Sequence, residues 1–185
     1  CGASWDDLAQ QNLITAFEAR VLARRERLLQ NIRIRLHYLA NRREDRLLFD
    51  YQNELATEMH VKAKRGQRIS EGLMRAYYRN AKVIGQLNTI LLQNLSARID
   101  PNALTQATPI NKDFQSRNNL LEAIDLNVFN QRPAAILEAS LLLQQNIDLK
   151  GVSAETLRAI WRAKNRINFE FRSDEKNQAL FMQIL

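Results

Sequence analysis

Glycine and proline are scarce: 5 and 3 among 185 residues. Turns draw heavily on both, so a sheet-rich fold with many reversals is excluded and long helices are expected. The single cysteine, Cys1, excludes an internal disulfide and a cysteine-based zinc site, which suits a cytosolic protein. No apolar run approaches the ~18 residues of a membrane helix. The longest candidate, 134–143, is interrupted by Glu138 and Ser140. The opening Cys1-Gly2-Ala3-Ser4-Trp5-Asp6-Asp7 lacks the basic and then apolar stretches of a signal peptide, and without a Met it reads as a piece of something longer.

The usual carriers of chemistry are missing too. The two histidines, His37 and His60, stand apart, without the His-Glu-x-x-His or paired cysteines a zinc ion wants. His37 reads as a partly buried structural imidazole within a helix, and His60 as solvated. There is no Gly-x-Gly-x-x-Gly and no Gly-Lys-Ser/Thr to cradle phosphates. No Asp-x-Asp pair is present to hold two metal ions, and no His-Asp dipeptide to anchor a phosphohydrolase metal. Cys1, at a chain end with no nearby histidine, is a poor nucleophile.

What is there is globular. Apolar residues make up 45% and charged residues 25% of the chain, which is neither disordered nor fibrous. A chain of this length buries roughly 70% of its unfolded surface and needs no staple. Ser4-Trp5-Asp6-Asp7 opens a short helix, and Thr15-Ala16-Phe17-Glu18 forms a capping box. From there Phe17, Val21, Leu28, Ile32, Leu36 and Leu39 recur at helical spacing, so a helix is expected over 16–41. After a break at 41–45, a second helix carries Leu47, Leu48, Tyr51 and Leu55 on one face. Residues 60–69 read as a solvated basic loop. Ser70 then caps a long helix through Leu95, which Asp100-Pro101 stops.

Asn118-Asn119 lies between 114–117 and 120–123 and predicts a small hairpin, since Asn tolerates positive φ. Pro133 opens a helix over 134–145, apolar nearly all round and therefore central and buried. Gly151 closes the next connection. Ser153 starts a helix carrying Leu157, Ile160, Trp161, Ile167 and Phe171, and Ser173-Asp174-Glu175 starts a last one. The expected class is all-α, a mostly antiparallel helical bundle with a short β-hairpin insertion. Residues 1–185 read as one helical domain of a larger protein. It has a long-helix half at 1–100, an irregular segment with the hairpin at 101–130, and C-terminal helices at 131–185.

Charge is the remaining signal. With 27 Lys and Arg against 20 Asp and Glu, the chain carries +7 and a pI near 9.9. Nine arginines (20, 24, 25, 27, 33, 35, 42, 43 and 46) face only Glu26, Glu44 and Asp45 between residues 20 and 46. Such a face suits the phosphates of a nucleic acid or a nucleotide. The plainer reading is a solvated helix flank with ion pairs. Nucleic acid is the weaker partner, because the aromatics fall on apolar stripes and no reading motif accompanies the charge. Tyr77-Tyr78 likewise reads as core before stacking platform.

Several blocks in register nevertheless form a recognisable pattern. Arg42-Arg43-Glu44-Asp45-Arg46-Leu47-Leu48-Phe49-Asp50-Tyr51-Gln52 precedes Met74-Arg75-Ala76-Tyr77-Tyr78-Arg79-Asn80-Ala81. Pro109-Ile110-Asn111, Phe114, Asn127-Val128-Phe129, Pro133-Ala134-Ala135-Ile136-Leu137-Glu138, Gly151-Val152, Thr156-Leu157-Arg158 and Leu180-Phe181-Met182-Gln183-Ile184-Leu185 follow. In this order the chain resembles, over nearly its whole length, the helical domain of bacterial bifunctional PII uridylyltransferase/uridylyl-removing enzymes. The related glutamine synthetase adenylyltransferases are one alternative, and a free-standing basic helical module that binds nucleic acid or an acidic protein is the other.

That resemblance implies a nitrogen-regulating parent enzyme in the cytoplasm. Its nucleotidyltransferase domain moves UMP from UTP to the PII signalling protein with Mg²⁺. An HD domain removes UMP, and ACT domains sense glutamine. The Gly-Ser and Asp-x-Asp motifs of the first domain and the His-Asp motif of the second would lie outside this chain. No catalytic residue, metal or cofactor is therefore carried over onto it. The implied role is to pack on the nucleotidyltransferase core and help to place UTP and PII. Arg42, Arg43 and Arg46, beside an abrupt helix break, are the candidates for touching the triphosphate or the catalytic domain. Asp45 and Asp50 would fix those arginines and cap the helix, and Tyr77, Tyr78 and Arg79 would line the adjoining surface. A block kept only for helix packing and docking between domains is the competing reading.

Overall fold

The computed structural model describes residues 4–62, 65–99 and 106–185. The chain divides into two compact units, Cys1–Leu91 and Leu92–Leu185.

The first unit is helical. Its elements are α1 (Trp5–Gln10), α2 (Ala16–Ala40), α3 (Phe49–Glu58) and the greater part of α4 (Ile69–Ile99). Two capping boxes start α1 and α2, as their sequences predict. Ser4 Oγ accepts from the Asp7 N–H, and Thr15 Oγ1 from the Glu18 N–H, while each carboxylate reaches back to the cap N–H. Each side chain thereby satisfies donors that a helix start leaves orphaned. Ile32, Leu55, Ala56 and Leu73 form the centre of a core, which Leu28, Leu39, Leu47, Met59, Val61, Ile69 and Tyr77 cover.

Several boundaries differ from expectation. Phe17, assigned to the apolar stripe, is exposed, and Ala19, Leu22, Ile32 and Leu36 form the buried face of α2. Leu47 and Leu48 precede α3 instead of lying on it. Ser70 falls inside the first turn of α4, buried, rather than capping it. The stop expected at Asp100-Pro101 lies outside the described residues, as do Cys1 and Lys64 of the basic loop.

The second unit is not all-α, and here the expected class is corrected. It holds a four-stranded sheet in the order β1 (Thr108–Pro109), β2 (Phe114–Arg117), β3 (Leu120–Ala123) and β4 (Gly151–Val152). β1, β2 and β3 pair antiparallel, whereas β3 and β4 run parallel. The hairpin is the part the sequence predicts: Asn118 (φ 52°) and Asn119 (φ 61°) both take positive φ between β2 and β3. β1 and β4 are two residues each, too short to leave an alternating pattern, and β4 pairs only after a long crossover.

That crossover contains α5 (Val128–Gln131) and α6 (Ala135–Gln145); α7 (Ala154–Ala163), α8 (Phe169–Ser173) and α9 (Glu175–Ile184) follow β4. α6 starts two residues after Pro133, whose carbonyl accepts the Ile136 N–H. It is less enclosed than its sequence suggests: only Ala135, Ile136 and Ala139 are fully buried. The helix expected to run unbroken from Ser153 to Phe171 stops at Ala163, passes through a 3₁₀ turn (Lys164–Arg166), and restarts where Asn168 Oδ1 accepts the Phe171 N–H. An asparagine side chain competes with helix continuation in this way. The core holds Phe114, Leu121, Phe129, Ile136 and several alanines, with the rings of Phe114 and Phe129 6.1 Å apart.

Candidate functional site

The arginine block forms a strapped loop at the end of α2. Asn41 ends that helix in the left-handed region (φ 49°), a conformation Asn tolerates better than most residues. The reversal returns Asp45 to the flank of α2. Its Oδ1 accepts Arg33 Nε at 2.6 Å and its Oδ2 accepts Arg33 Nη2 at 3.2 Å. His37 Nε2 lies 3.2 Å from Oδ1, and Arg43 Nε 3.7 Å from Oδ2. Arg33 and His37 are four residues apart, hence on one helix face, which is why a single carboxylate meets both. The hydrogen bond from Arg33, then that from His37, lowers the Asp45 carboxyl to about 2. The same bond raises the Arg33 guanidinium.

Glu44 is the second anchor. It is 5% exposed, the most buried carboxylate of the block. Oε1 accepts the Arg46 backbone N–H at 3.0 Å and Arg46 Nε at 3.2 Å, and Oε2 accepts Arg42 Nη2 at 2.9 Å. Those bonds, the Arg46 side chain first and its backbone next, hold the Glu44 carboxyl below its usual range. The arginine side chains themselves point to solvent: Arg42, Arg43 and Arg46 are 62%, 81% and 75% exposed. Beyond them the Leu47 carbonyl accepts from buried Gln52 at 3.2 Å, while Leu48 and Phe49 stand exposed.

The structure thus brings Arg42, Arg43, Asp45 and Arg46 into one loop. Asp45 lies within ion-pair distance of Arg43, whereas Glu44 and not Asp45 holds Arg42 and Arg46. Asp50 lies exposed in the first turn of α3, where a carboxylate suits the positive end of the helix dipole. Among the described residues it makes no ion pair with the arginines, and Leu48 caps α3 without a side-chain bond. Tyr77 packs into the core of the first unit, whereas Tyr78 and Arg79 are exposed; the two rings meet edge to face at 5.6 Å. No hydrogen bond or ion pair joins these three to the arginine loop among the described residues.

Sequence reasoning missed two structural roles. Glu44 sits two residues from each of Arg42 and Arg46, a spacing that would have pointed to it. Asn80 is buried and accepts Arg25 Nη1 at 2.7 Å while donating to the Ala76 carbonyl, which ties α4 to α2. In the second unit Arg132 bridges Asp113 and Glu138, and Thr156 Oγ1 accepts the buried Ala123 N–H at 2.9 Å. These are structural ties. Among the described residues, no group of three or more His, Cys, Asp or Glu stands ready to hold a metal, and no helix is long and apolar enough to cross a membrane.

The comparisons divide the chain as its contacts do. The family model for the GlnD PII-uridylyltransferase matches residues 2–92, and that for the uridylyltransferase GlnD third domain matches 114–185. The chain belongs to the GlnD uridylyltransferase family. Among its relatives, the bifunctional uridylyltransferase/uridylyl-removing enzymes of Nitrosospira multiformis and Aromatoleum aromaticum are each 50% identical over 184 residues, all of this chain. That of Ralstonia nicotianae is 44% identical over the same length. This GlnD-family chain spans about a fifth of each of them (21%). No solved structure matches. The arginine loop lies within the segment matched by the PII-uridylyltransferase model.

Proposed function

We propose that the chain is a helical module of a cytoplasmic uridylyltransferase/uridylyl-removing enzyme, carrying no reacting group itself, that helps to place UTP and PII for uridylyl transfer. One observation carries this reading. A buried glutamate holds Arg42 and Arg46, and Arg43 stands within ion-pair distance of Asp45, in one short loop whose guanidinium groups keep several donors without a partner among the described residues. Guanidinium forks match phosphate oxygens. On this reading the loop meets the triphosphate, and exposed Leu48 and Phe49 beside it dock on the nucleotidyltransferase part of the same enzyme. Mg²⁺ belongs to that part, as do the reacting groups.

Arg43→Ala in the full-length enzyme tests it. A lost hydrogen bond to a charged group is worth about 1.5–3 kcal/mol, roughly 10- to 150-fold. The expected result is a rise of that order in the KM for UTP, or an equivalent fall in kcat, with uridylyl removal unchanged. Equal loss of both activities would show a folding defect, and no change in either would overturn the proposal. The isolated 185 residues should transfer no UMP to PII; measurable transfer would refute the non-catalytic role.

A further inference from the structure

We infer that Glu44 is a positioning residue for nucleotide binding, acting through Arg42 and Arg46; this rests on the UTP-placing role proposed above. The geometry is a single buried carboxylate shared between two exposed arginines. Oε2 holds Arg42 through Nη2 alone, and Oε1 holds Arg46 through Nε and the backbone N–H. Among the described residues Arg42 Nε and Nη1 and both Nη groups of Arg46 make no hydrogen bond, so they stand open to an incoming anion. A long side chain that is loose before binding loses rotamer freedom when a ligand fixes it, and this weakens affinity. Glu44 removes much of that freedom beforehand. It also keeps the two guanidinium groups neighbours, as adjacent phosphate oxygens require.

The same carboxylate has an opposing effect. Its negative charge, held ionised by Arg46 and Arg42, subtracts from the field that attracts a triphosphate. The two effects predict opposite signs for Glu44→Gln. Glutamine keeps the size and the acceptor facing Arg46, but turns an N–H₂ toward the N–H of Arg42 and removes the charge. If Glu44 were only a neutralising charge, its removal would tighten UTP binding. If it positions the arginines, removal weakens binding in spite of the gained positive charge.

The experiment is a mutant cycle in the full-length enzyme, with UTP and PII as substrates. Glu44→Gln is expected to raise the KM for UTP about tenfold, with kcat within about twofold and the melting midpoint little changed. Glu44→Asp, which keeps the charge on a shorter arm, should fall between wild type and Glu44→Gln. In an Arg42→Ala/Arg46→Ala background Glu44→Gln should no longer raise the KM for UTP, because the groups it positions are gone and only the removal of its charge, which favours binding, is left. A lowered KM in Glu44→Gln would overturn the inference, as would full additivity in the cycle. Parallel loss of transfer, uridylyl removal and melting midpoint would assign Glu44 to folding alone, and so also overturn it. If Arg42→Ala/Arg46→Ala leaves the KM for UTP unchanged, the nucleotide-placing role itself fails, a result distinct from additivity.

Discussion

Asp45 shows how much one exposed carboxylate can organise when its partners are placed in advance. Arg33 and His37 both stand on α2, so the loop is strapped to a helix and not to another loop. The consequence is a defined pH window. The Asp45 carboxyl is depressed from 3.8 to about 2, so its stabilising contribution is complete above 3.8 and disappears as pH falls through about 2. Asp45→Asn should therefore melt below wild type at neutral pH, with the gap closing as pH falls from 3.8 towards 2. A gap independent of pH would assign the effect to shape, not charge. Thr156 is the buried counterpart in the second unit. Thr156→Val keeps the volume but leaves the Ala123 N–H without its acceptor, at a cost of about 1–3 kcal/mol. Thr156→Ser should cost clearly less in the same denaturant titration.

At the scale of elements, what could be read from the sequence is what local chemistry decides. The Thr15–Glu18 box, the helix behind it and the Asn118-Asn119 turn all rest on residues within four positions of one another, and all appear where expected. β1 and β4 depend on partners far along the chain and are two residues long, so no period marks them. The restart at Asn168 was missed because Ile167 and Phe171 keep helical spacing across a 3₁₀ turn that breaks the helix. The hairpin gives the corresponding prediction. Alanine at Asn118 or Asn119 must occupy positive φ without the local tolerance of Asn, and should destabilise by about 1–2 kcal/mol relative to glycine at the same position. Equal stability of the Ala and Gly variants would mean the turn has another geometry in solution. The Asn119 side chain also donates to the Asp148 carbonyl at 3.0 Å. Its glycine variant should lose that bond as well, worth about 1 kcal/mol.

For the whole molecule the deciding quantity is where the charge lies and how much is already matched. Residues 1–91 hold 16 of the 27 Lys and Arg but only 10 of the 20 Asp and Glu, so nearly all the excess belongs to the first unit. The arginine cluster and the presence of ion pairs were legible in the sequence; the choice of Glu44 for Arg42 and Arg46 was not, because it depends on how the chain reverses at Asn41. Among the described residues, Arg33, Arg35, Arg42, Arg43 and Arg46 of the nine arginines between residues 20 and 46 have a carboxylate partner. A polynucleotide needs many phosphate contacts along a continuous unmatched stripe, and its affinity then falls steeply with salt. A nucleotide needs two or three guanidinium groups held together, which the Glu44 loop supplies. The chain should therefore bind a labelled 20-base-pair duplex no more tightly than about 10⁻⁵ M at ~150 mM salt, the ordinary non-specific range. Fluorescence anisotropy across a salt series would check this. A sub-micromolar dissociation constant that weakens about a thousandfold or more between ~50 and ~200 mM salt would restore the nucleic-acid reading, since that slope requires about six or more phosphates neutralised at once.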